Sequence, residues 1–270
     1  MANEAQNRRA VVVDDDADIR LLLSQTLGMQ GFDVVQAATG AEGLDRIREH
    51  RPDLVTLDLN LPDLDGTEVC RRLREFSDAY VIMVTARSEE IDELMGLQIG
   101  ADDYVSKPFS PRAIQARITA MFRRPRSGAP AGTGAGPGTP AGAGVDPSAG
   151  GHPGNTHANA DASATGGPDV LTHGRLRVDV ESRLASLDGR ELSLTRTEFD
   201  LLALMAGSPR RIWSREVLLR SVWGHEWAAN EHLVEVHVGN LRRKLGDKRG
   251  GAQVIRTVRG VGYGLVAAGA

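Results

Sequence analysis

The sequence predicts an α/β domain built on a doubly wound, five-stranded parallel sheet, followed by a smaller α+β domain of the winged helix-turn-helix type. Two observations support this fold class. Short apolar runs alternate five times with amphipathic segments up to residue 122, as in parallel sheets covered by helices on both faces. Beyond residue 168, strand patterns at both ends flank three helical patterns.

The first domain repeats a strand and a helix five times. Its strands are predicted at residues 10–13, 34–37, 54–57, 80–84 and 104–106. The first helix presents Ile19, Leu22, Leu23 and Leu27 on one face and stops at Gly31. The other helices are predicted at residues 41–50, 67–76, 89–99 and 111–122. In such sheets, ligands bind at the carboxyl ends of the strands.

A segment of low complexity separates the two domains. Residues 127–168 contain 12 Gly, 10 Ala, 7 Ser or Thr and 6 Pro, and Val145 is their only aliphatic residue larger than alanine. Such a segment buries too little apolar surface to offset the entropy of ordering it. We therefore expect a first domain at residues 8–125, a flexible linker at 126–168 and a second domain at 169–268.

The second domain begins with short alternating runs at residues 176–180 and 184–187, which predict a small antiparallel sheet. Helices are predicted at residues 197–206, 215–222 and 231–245. A hairpin is predicted at residues 254–266, with its bend at residues 260–262. This order of elements is typical of a winged helix-turn-helix.

The charge of the chain is distributed unevenly. Of a net −4, residues 1–126 contribute −6 and residues 169–270 contribute +4, which suggests different partners for the two domains. No run of eighteen apolar residues is present and residues 1–9 are polar, so we expect neither a membrane span nor a secretory signal. The single cysteine, Cys70, cannot form an internal disulfide, which favours a reduced, cytoplasmic setting.

Polar residues gather at the carboxyl ends of four predicted strands. They are Asp14, Asp15, Asp58, Thr85 and Lys107. An isolated aspartate there is commonly a turn or cap residue, but five polar residues at matching ends favour a site. Crowded carboxylates need a compensating cation, and oxygen ligands that leave room for water and phosphate suit Mg²⁺. A carboxylate can also attack phosphorus, while the lysine and the hydroxyl hold the phosphoryl oxygens.

The first domain resembles the receiver domains of two-component response regulators, which have a flavodoxin-like fold. The resemblance covers residues 8–124 and rests on the motifs at residues 11–16, 58–66, 85–86, 100–104 and 107–109. It implies that Asp58 accepts a phosphoryl group and that Lys107 binds that group.

The same resemblance implies a metal site and a switch. The Mg²⁺ ligands would be Asp14, Asp15, Asp58 and the backbone carbonyl of Asn60. Thr85 and Tyr104 would form the switch pair.

Residues 63–67 also match the nucleophile motif of haloacid-dehalogenase-type phosphatases, a competing interpretation of this domain. That motif belongs directly after a hydrophobic strand. Here Pro62 precedes it, and the strand already ends at Asp58, so the phosphatase interpretation is weak.

The helix predicted at residues 231–245 has two different faces at 100° per residue. An apolar stripe should pack inward; it consists of Val234, Val238, Leu241 and Leu245. The opposite face carries His232, Val236, Gly239, Asn240 and Arg243, with Arg242 at its flank. In a DNA major groove, an exposed valine could touch a thymine methyl and an arginine could reach guanine or phosphate. A solvated amphipathic helix is the alternative.

The second domain resembles the output domain of OmpR/PhoB-type regulators over residues 170–267. The resemblance rests on residues 194–202, 234–245 and 255–263. It implies a recognition helix in the major groove, Arg259 of the wing at the minor groove, and contact of RNA polymerase with the loop near residues 224–230. The expected DNA contacts are His232, Val236, Gly239, Asn240, Arg242, Arg243, Lys244, Thr257 and Arg259. His232 and Asn240 stand where many relatives carry arginine, so the DNA site cannot be copied from a relative.

Relatives of this type form dimers after phosphorylation, through ion pairs between their receiver domains. Asp103 and Arg117 match one such pair. Glu93 and Ala113 stand where a second pair usually forms, and they are not complementary. We therefore expect a weaker or differently paired active dimer.

The two resemblances together predict a transcription regulator rather than an enzyme. A sensor histidine kinase would phosphorylate Asp58, the receiver would form a homodimer, and two output domains would bind adjacent half-sites on double-stranded DNA. Two alternatives remain: a DNA-binding protein whose receiver is a constitutive dimerisation module, and a phosphotransfer or phosphatase enzyme.

Overall fold

The computed structural model of the chain describes residues 8–86, 96–122, 170–224, 231–247 and 253–267. The first domain is built on a parallel sheet with strand order β2-β1-β3-β4-β5. Its strands are β1 (Arg8–Val13), β2 (Phe32–Ala37), β3 (Leu54–Leu57), β4 (Tyr80–Thr85) and β5 (Asp103–Ser106). This order confirms the predicted doubly wound sheet.

Helices cover both faces of this sheet. They are α1 (Ala17–Gly28), α2 (Gly40–His50), α3 (Gly66–Leu73) and α4 (Pro111–Met121), with a further helical turn at residues 96–99. The side chains of Asp16, Thr39, Asp65 and Ser110 cap the four numbered helices by accepting backbone N–H groups of the first turn. Helix α3 ends three residues earlier than predicted, and most of the predicted helix at residues 89–99 lies outside the described residues.

The sheet separates two apolar clusters. Val11 and Val13 of β1 face one cluster, and Ala10 and Val12 face the other. Successive side chains of a strand point to opposite faces, so a continuous apolar strand belongs to both clusters. This burial fixes the strands and thereby the polar residues that follow them.

The second domain confirms the predicted α+β winged helix-turn-helix. Its antiparallel sheet contains β6 (Val170–His173), β7 (Leu176–Asp179), β8 (Leu184–Leu187) and β9 (Arg190–Glu191). Three helices follow: α5 (Arg196–Ala206), α6 (Arg215–Val222) and α7 (His232–Leu245). The terminal hairpin contains β10 (Ile255–Val258) and β11 (Gly262–Leu265). Strands β6 and β9 were not predicted.

The terminal hairpin is anchored to the segment before α6. The backbone N–H of Trp213 donates to Tyr263 O at 2.7 Å, and the N–H of Tyr263 donates to Trp213 O at 2.9 Å. Gly262 makes this close approach possible, because a Cβ at that position would lie 1.9 Å from Trp213 O. This pairing fixes the wing relative to the helices.

Several predictions concern residues outside the described part of the chain. They are the linker at 126–168, the domain-boundary residues 123–125, 169 and 268, Glu93, and residues 225–230 of the predicted polymerase loop. Among the residues that the structure does describe, no helix is long and apolar enough to cross a membrane.

Candidate functional site

The carboxyl ends of the parallel strands bring the predicted acidic residues together. Asp14 directly follows β1 and Asp58 directly follows β3, and these strands are neighbours with Val13 opposite Leu57. Ligand oxygens of Asp14, Asp15 and Asp58 all lie within 4.8 Å of one another. The structure therefore assembles the three carboxylates into one acidic pocket.

Lys107 spans the acidic pocket. Its Nζ lies 2.8 Å from Asp14 Oδ2 and 2.8 Å from Asp58 Oδ2. The lysine directly follows β5, and its backbone N–H donates to Thr85 O at the end of β4. Two neighbouring strands thus hold the ammonium group over the carboxylates that follow β1 and β3.

Burial and charge act in opposite directions in this pocket. Burial raises the pKa of the Asp14 carboxyl, although hydrogen bonding and attraction to Lys107 oppose the shift. Burial alone would lower the pKa of Lys107, but its contacts with Asp14 and Asp58 outweigh that effect and raise it. Apart from these shifts, the pocket gathers three carboxylates around one lysine, so its side chains carry more acidic than basic groups.

Such a donor set fits a hard divalent cation. Three carboxylates within reach of one another offer the oxygen ligands that Mg²⁺ prefers, and a second cation would relieve the excess negative charge. The backbone N–H of Asn60 donates to Asp58 Oδ1 at 3.2 Å, which holds the two residues of the predicted site close together.

Replacement of Asp14 by asparagine is expected to stabilise the metal-free protein at neutral pH. Folding raises the pKa of the Asp14 carboxyl, so its ionised form destabilises the folded state at pH values above the usual pKa of a carboxyl group. The increase in the thermal midpoint should be largest near pH 7 and should vanish below about pH 4, where both states are protonated. Thermal unfolding followed by circular dichroism, without divalent cations, measures it. An unchanged or lower midpoint at pH 7 would contradict the prediction.

The predicted switch residues lie on adjacent strands. Thr85 ends β4 and Tyr104 lies in β5, where it is the neighbour of Met83. Both side chains are buried. Thr85 borders the pocket, because its backbone carbonyl accepts the N–H of Lys107. The switch role of Thr85 and Tyr104 remains a prediction.

One residue of the pocket was missed in the sequence. Arg20, in the first turns of α1, donates from Nη1 to Asp14 O at 2.7 Å and to Asp15 O at 2.8 Å. It thereby fixes the backbone from which two carboxylates project. Its position four residues after the capping Asp16 is the only signal for this role, because a helix places such residues one turn apart.

Helix α7, the predicted recognition helix, does not present its predicted DNA face freely. Val236 is only 8% exposed and Asn240 only 3% exposed, whereas His232 and Gly239 are exposed. Asn240 Nδ2 donates to Leu97 O of the first domain at 2.9 Å. This differs from the expectation of an open polar face, because Asn240 and Arg243 bond to backbone carbonyls of the first domain.

The other predicted DNA-contacting residues either bond to groups within the protein or are exposed. Arg242 Nη2 donates to Thr257 Oγ1 at 2.7 Å, which joins α7 to the hairpin. Lys244 Nζ lies 2.5 Å from Glu198 Oε2. Arg243 reaches Gln98 O at 3.4 Å, and Arg259 is exposed in the turn of the wing.

Comparisons with known proteins identify the family of each domain. Residues 10–119 match the family of response regulator receiver domains, and residues 189–265 match the C-terminal domain of transcriptional regulatory proteins. The DNA-binding response regulator MtrA of Mycolicibacterium smegmatis is 37% identical over 260 residues, which cover 96% of this chain and 97% of that protein. The transcriptional regulatory protein PrrA of Mycobacterium tuberculosis is 38% identical over 258 residues, 95% of each chain. A solved structure of a RitR mutant has a TM-score of 0.69 and 26% identity, and covers 96% of this chain and 99% of that one.

Proposed function

The chain belongs to the OmpR/PhoB-type response regulators, with a receiver domain and a DNA-binding domain, and we propose that phosphorylation of Asp58 controls its binding to double-stranded DNA. The observation that carries the proposal is the acidic pocket, where Lys107 Nζ lies 2.8 Å from both Asp14 and Asp58. As in its relatives, the chain is a regulator and not an enzyme.

Asp58 is the nucleophile in this proposal. Its carboxylate attacks the phosphorus of a phosphohistidine on a sensor kinase, so the phosphorus–nitrogen bond breaks as an acyl phosphate bond forms. Mg²⁺ bound by Asp14, Asp15, Asp58 and the carbonyl of Asn60 would neutralise phosphoryl oxygens. Lys107, already in contact with Asp58, supplies a second positive charge for the same oxygens.

The output domain would then read DNA with α7 in the major groove and the wing near the minor groove. The predicted contacts of His232, Val236, Gly239, Asn240 and Arg243 lie on the face of α7 away from its own core. Arg242, Lys244, Thr257 and Arg259 complete the predicted set. We place the protein in the cytoplasm, because its proposed target is DNA and the kinase that would donate the phosphoryl group consumes ATP. There, the loop near residues 224–230 would contact RNA polymerase.

Binding of the full-length protein to a pool of genomic DNA fragments tests the proposed function. With Mg²⁺ and beryllium fluoride, a phosphoryl mimic, we expect tighter and sequence-selective binding. Because the mimic binds to the Asp58 carboxylate, Asp58→Ala should remove the increase and retain only the basal binding.

The other outcomes separate the alternatives. Equal selective binding with and without the mimic would support a constitutive DNA-binding protein. Absence of selective binding in both conditions would contradict the DNA-binding role. Release of phosphate from a small phosphorylated substrate would favour an enzyme.

We expect the activated receiver to dimerise weakly. Within the chain, Arg117 Nη1 lies 3.0 Å from Asp103 Oδ2. In the dimer, the same two residue types are predicted to pair between the two receiver domains. Glu93 and Ala113 add no second pair, and each exposed pair contributes only about 0 to 1 kcal/mol. Glu93→Lys combined with Ala113→Glu should therefore tighten the beryllium fluoride-activated dimer, measured by analytical ultracentrifugation. Equal dimer affinities of the two proteins would contradict the expectation.

A further inference from the structure

The turn between β1 and α1 carries two of the three carboxylates of the acidic pocket, and it holds them differently. The Asp14 carboxylate is fixed on both sides, because Oδ1 accepts the backbone N–H of Asp16 at 3.0 Å and Oδ2 contacts Lys107 Nζ at 2.8 Å. Asp15 is exposed, and among the residues that the structure describes no hydrogen bond or ion pair holds its carboxylate. The direction of the Asp15 side chain therefore depends on the backbone of the turn.

Arg20 fixes the backbone on both sides of the Asp15 Cα. Its Nη1 donates to Asp14 O at 2.7 Å and to Asp15 O at 2.8 Å. These two oxygens belong to the peptide groups before and after the Asp15 Cα. Because a peptide group is planar, fixing both planes fixes φ and ψ of Asp15 and thereby the direction of its Cβ. One arginine nitrogen thus orients the carboxylate that no other side chain holds.

The place of Arg20 in α1 explains how it reaches this turn. Arg20 is the fourth residue of the helix, its side chain is half-buried, and its own N–H donates to Asp16 O at 3.0 Å. Helical side chains tilt towards the amino terminus of their helix. The guanidinium of Arg20 therefore extends back over the turn that precedes α1, and the acidic pocket and the helix form one unit.

Arg20 has two opposite effects on a cation bound in the pocket. Its positive charge repels a second cation, so this effect alone weakens metal binding. Its hydrogen bonds keep a ligand oriented, so this effect strengthens metal binding. Because the two effects differ in sign, removal of the side chain shows which of them is larger.

We propose that Arg20 is a positioning residue of the metal site, which orients Asp15 through its backbone and raises the affinity for Mg²⁺ despite its own positive charge. The proposal rests on the proposed function, because it requires that the carboxylates bind Mg²⁺. Groups that orient a metal ligand without touching the metal typically change metal affinity by about tenfold to a hundredfold.

Titration of the full chain with MgCl2, followed by the amide resonances of residues 14–16 in two-dimensional NMR spectra, tests the proposal. Arg20→Ala should bind Mg²⁺ at least about tenfold more weakly than wild type. Loss of the positive charge alone would have the opposite effect and tighten binding. Equal or tighter binding of Mg²⁺ by Arg20→Ala would overturn the proposal.

Two further variants separate geometry from charge. Arg20→Lys keeps the charge but lacks the planar, forked guanidinium, so its affinity should lie between those of Arg20→Ala and wild type. Arg46→Ala is the control for loss of a positive charge, because Arg46 lies on α2 and forms ion pairs with Glu42 and Glu49 of the same helix. It should change Mg²⁺ affinity by less than about twofold. An equal loss of affinity in Arg46→Ala and Arg20→Ala would overturn the proposal.

The Mg²⁺ dependence of beryllium fluoride binding separates positioning from a general effect on the fold. At saturating Mg²⁺, Arg20→Ala should show the full NMR shifts that the mimic causes in wild type. Its half-maximal Mg²⁺ concentration should rise by the same factor as the dissociation constant. Smaller shifts with an unchanged half-maximal concentration would mean that Arg20 only stabilises the fold, and would overturn the proposal.

Failure of this proposal and failure of the proposed function give different results. If wild type binds Mg²⁺ and Arg20→Ala binds it equally well, only the role of Arg20 is wrong. If wild type does not bind Mg²⁺, the proposed metal site is wrong and the role of Arg20 with it.

Discussion

Replacement of Lys107 by alanine is expected to abolish the response of DNA binding to beryllium fluoride. The Nζ of this lysine is the cation that the structure places between Asp14 Oδ2 and Asp58 Oδ2, at 2.8 Å from each. Without this lysine, one positive charge fewer would offset the repulsion between a phosphoryl group on Asp58 and the carboxylate of Asp14. In a water-poor site, that charge contributes several kcal/mol to stabilising the phosphoryl group. We expect the increase in DNA affinity on activation to fall to less than about twofold.

The matched control is Lys107→Arg, which keeps the positive charge but changes its shape and reach. It should retain part of the response, because attraction to the carboxylates depends on charge, whereas contact with a phosphoryl oxygen also depends on geometry. DNA binding titrated with and without the mimic measures both variants. A full response in Lys107→Ala would mean that the lysine balances the resting carboxylates only and has no part in the switch.

The acidic pocket could be predicted because its geometry follows from the topology of the sheet. Asp14 and Asp58 each directly follow an apolar run, and the parallel neighbours β1 and β3 bring these run ends to one edge. The strand pattern is local, and the parallel arrangement follows from the helices between the strands. The pocket could therefore be predicted without information on contacts between surfaces that are distant in the sequence.

The covered recognition face could not be predicted in the same way. The periodicity of α7 identifies the stripe that packs in its own domain, and Val236 and Asn240 lie outside it. Asn240 is buried where it bonds to Leu97 O, which is 143 residues away in the chain. Packing between domains leaves no local pattern, since a polar residue that bonds to a neighbouring domain looks like one that faces water. Strands as short as β9 cannot be predicted either, because two residues are too few to show an alternation of apolar and polar side chains.

Replacement of Arg74 by alanine is expected to have the largest effect on stability. Asp102 is fully buried, and Arg74 Nη2 lies 2.7 Å from its Oδ2, which also accepts the backbone N–H of Val81 at 2.8 Å. Arg74 further donates to Gly100 O at 2.9 Å and to Ala79 O at 2.5 Å. Loss of one partner leaves a buried charge without compensation, which typically costs about 3 to 5 kcal/mol. Denaturant unfolding of the full chain, followed by circular dichroism, measures this loss.

The comparison that isolates this effect is Arg71→Ala on the same helix. Arg71 is exposed and pairs with Glu68 and Glu75 at the surface, so its loss should change the unfolding midpoint little. Arg74→Lys should recover part of the stability by restoring the charge near Asp102, but not the bonds to Ala79 and Gly100, which need the forked guanidinium. Equal unfolding midpoints for Arg74→Ala and Arg71→Ala would contradict the prediction and show that the Asp102 carboxylate is satisfied without the arginine.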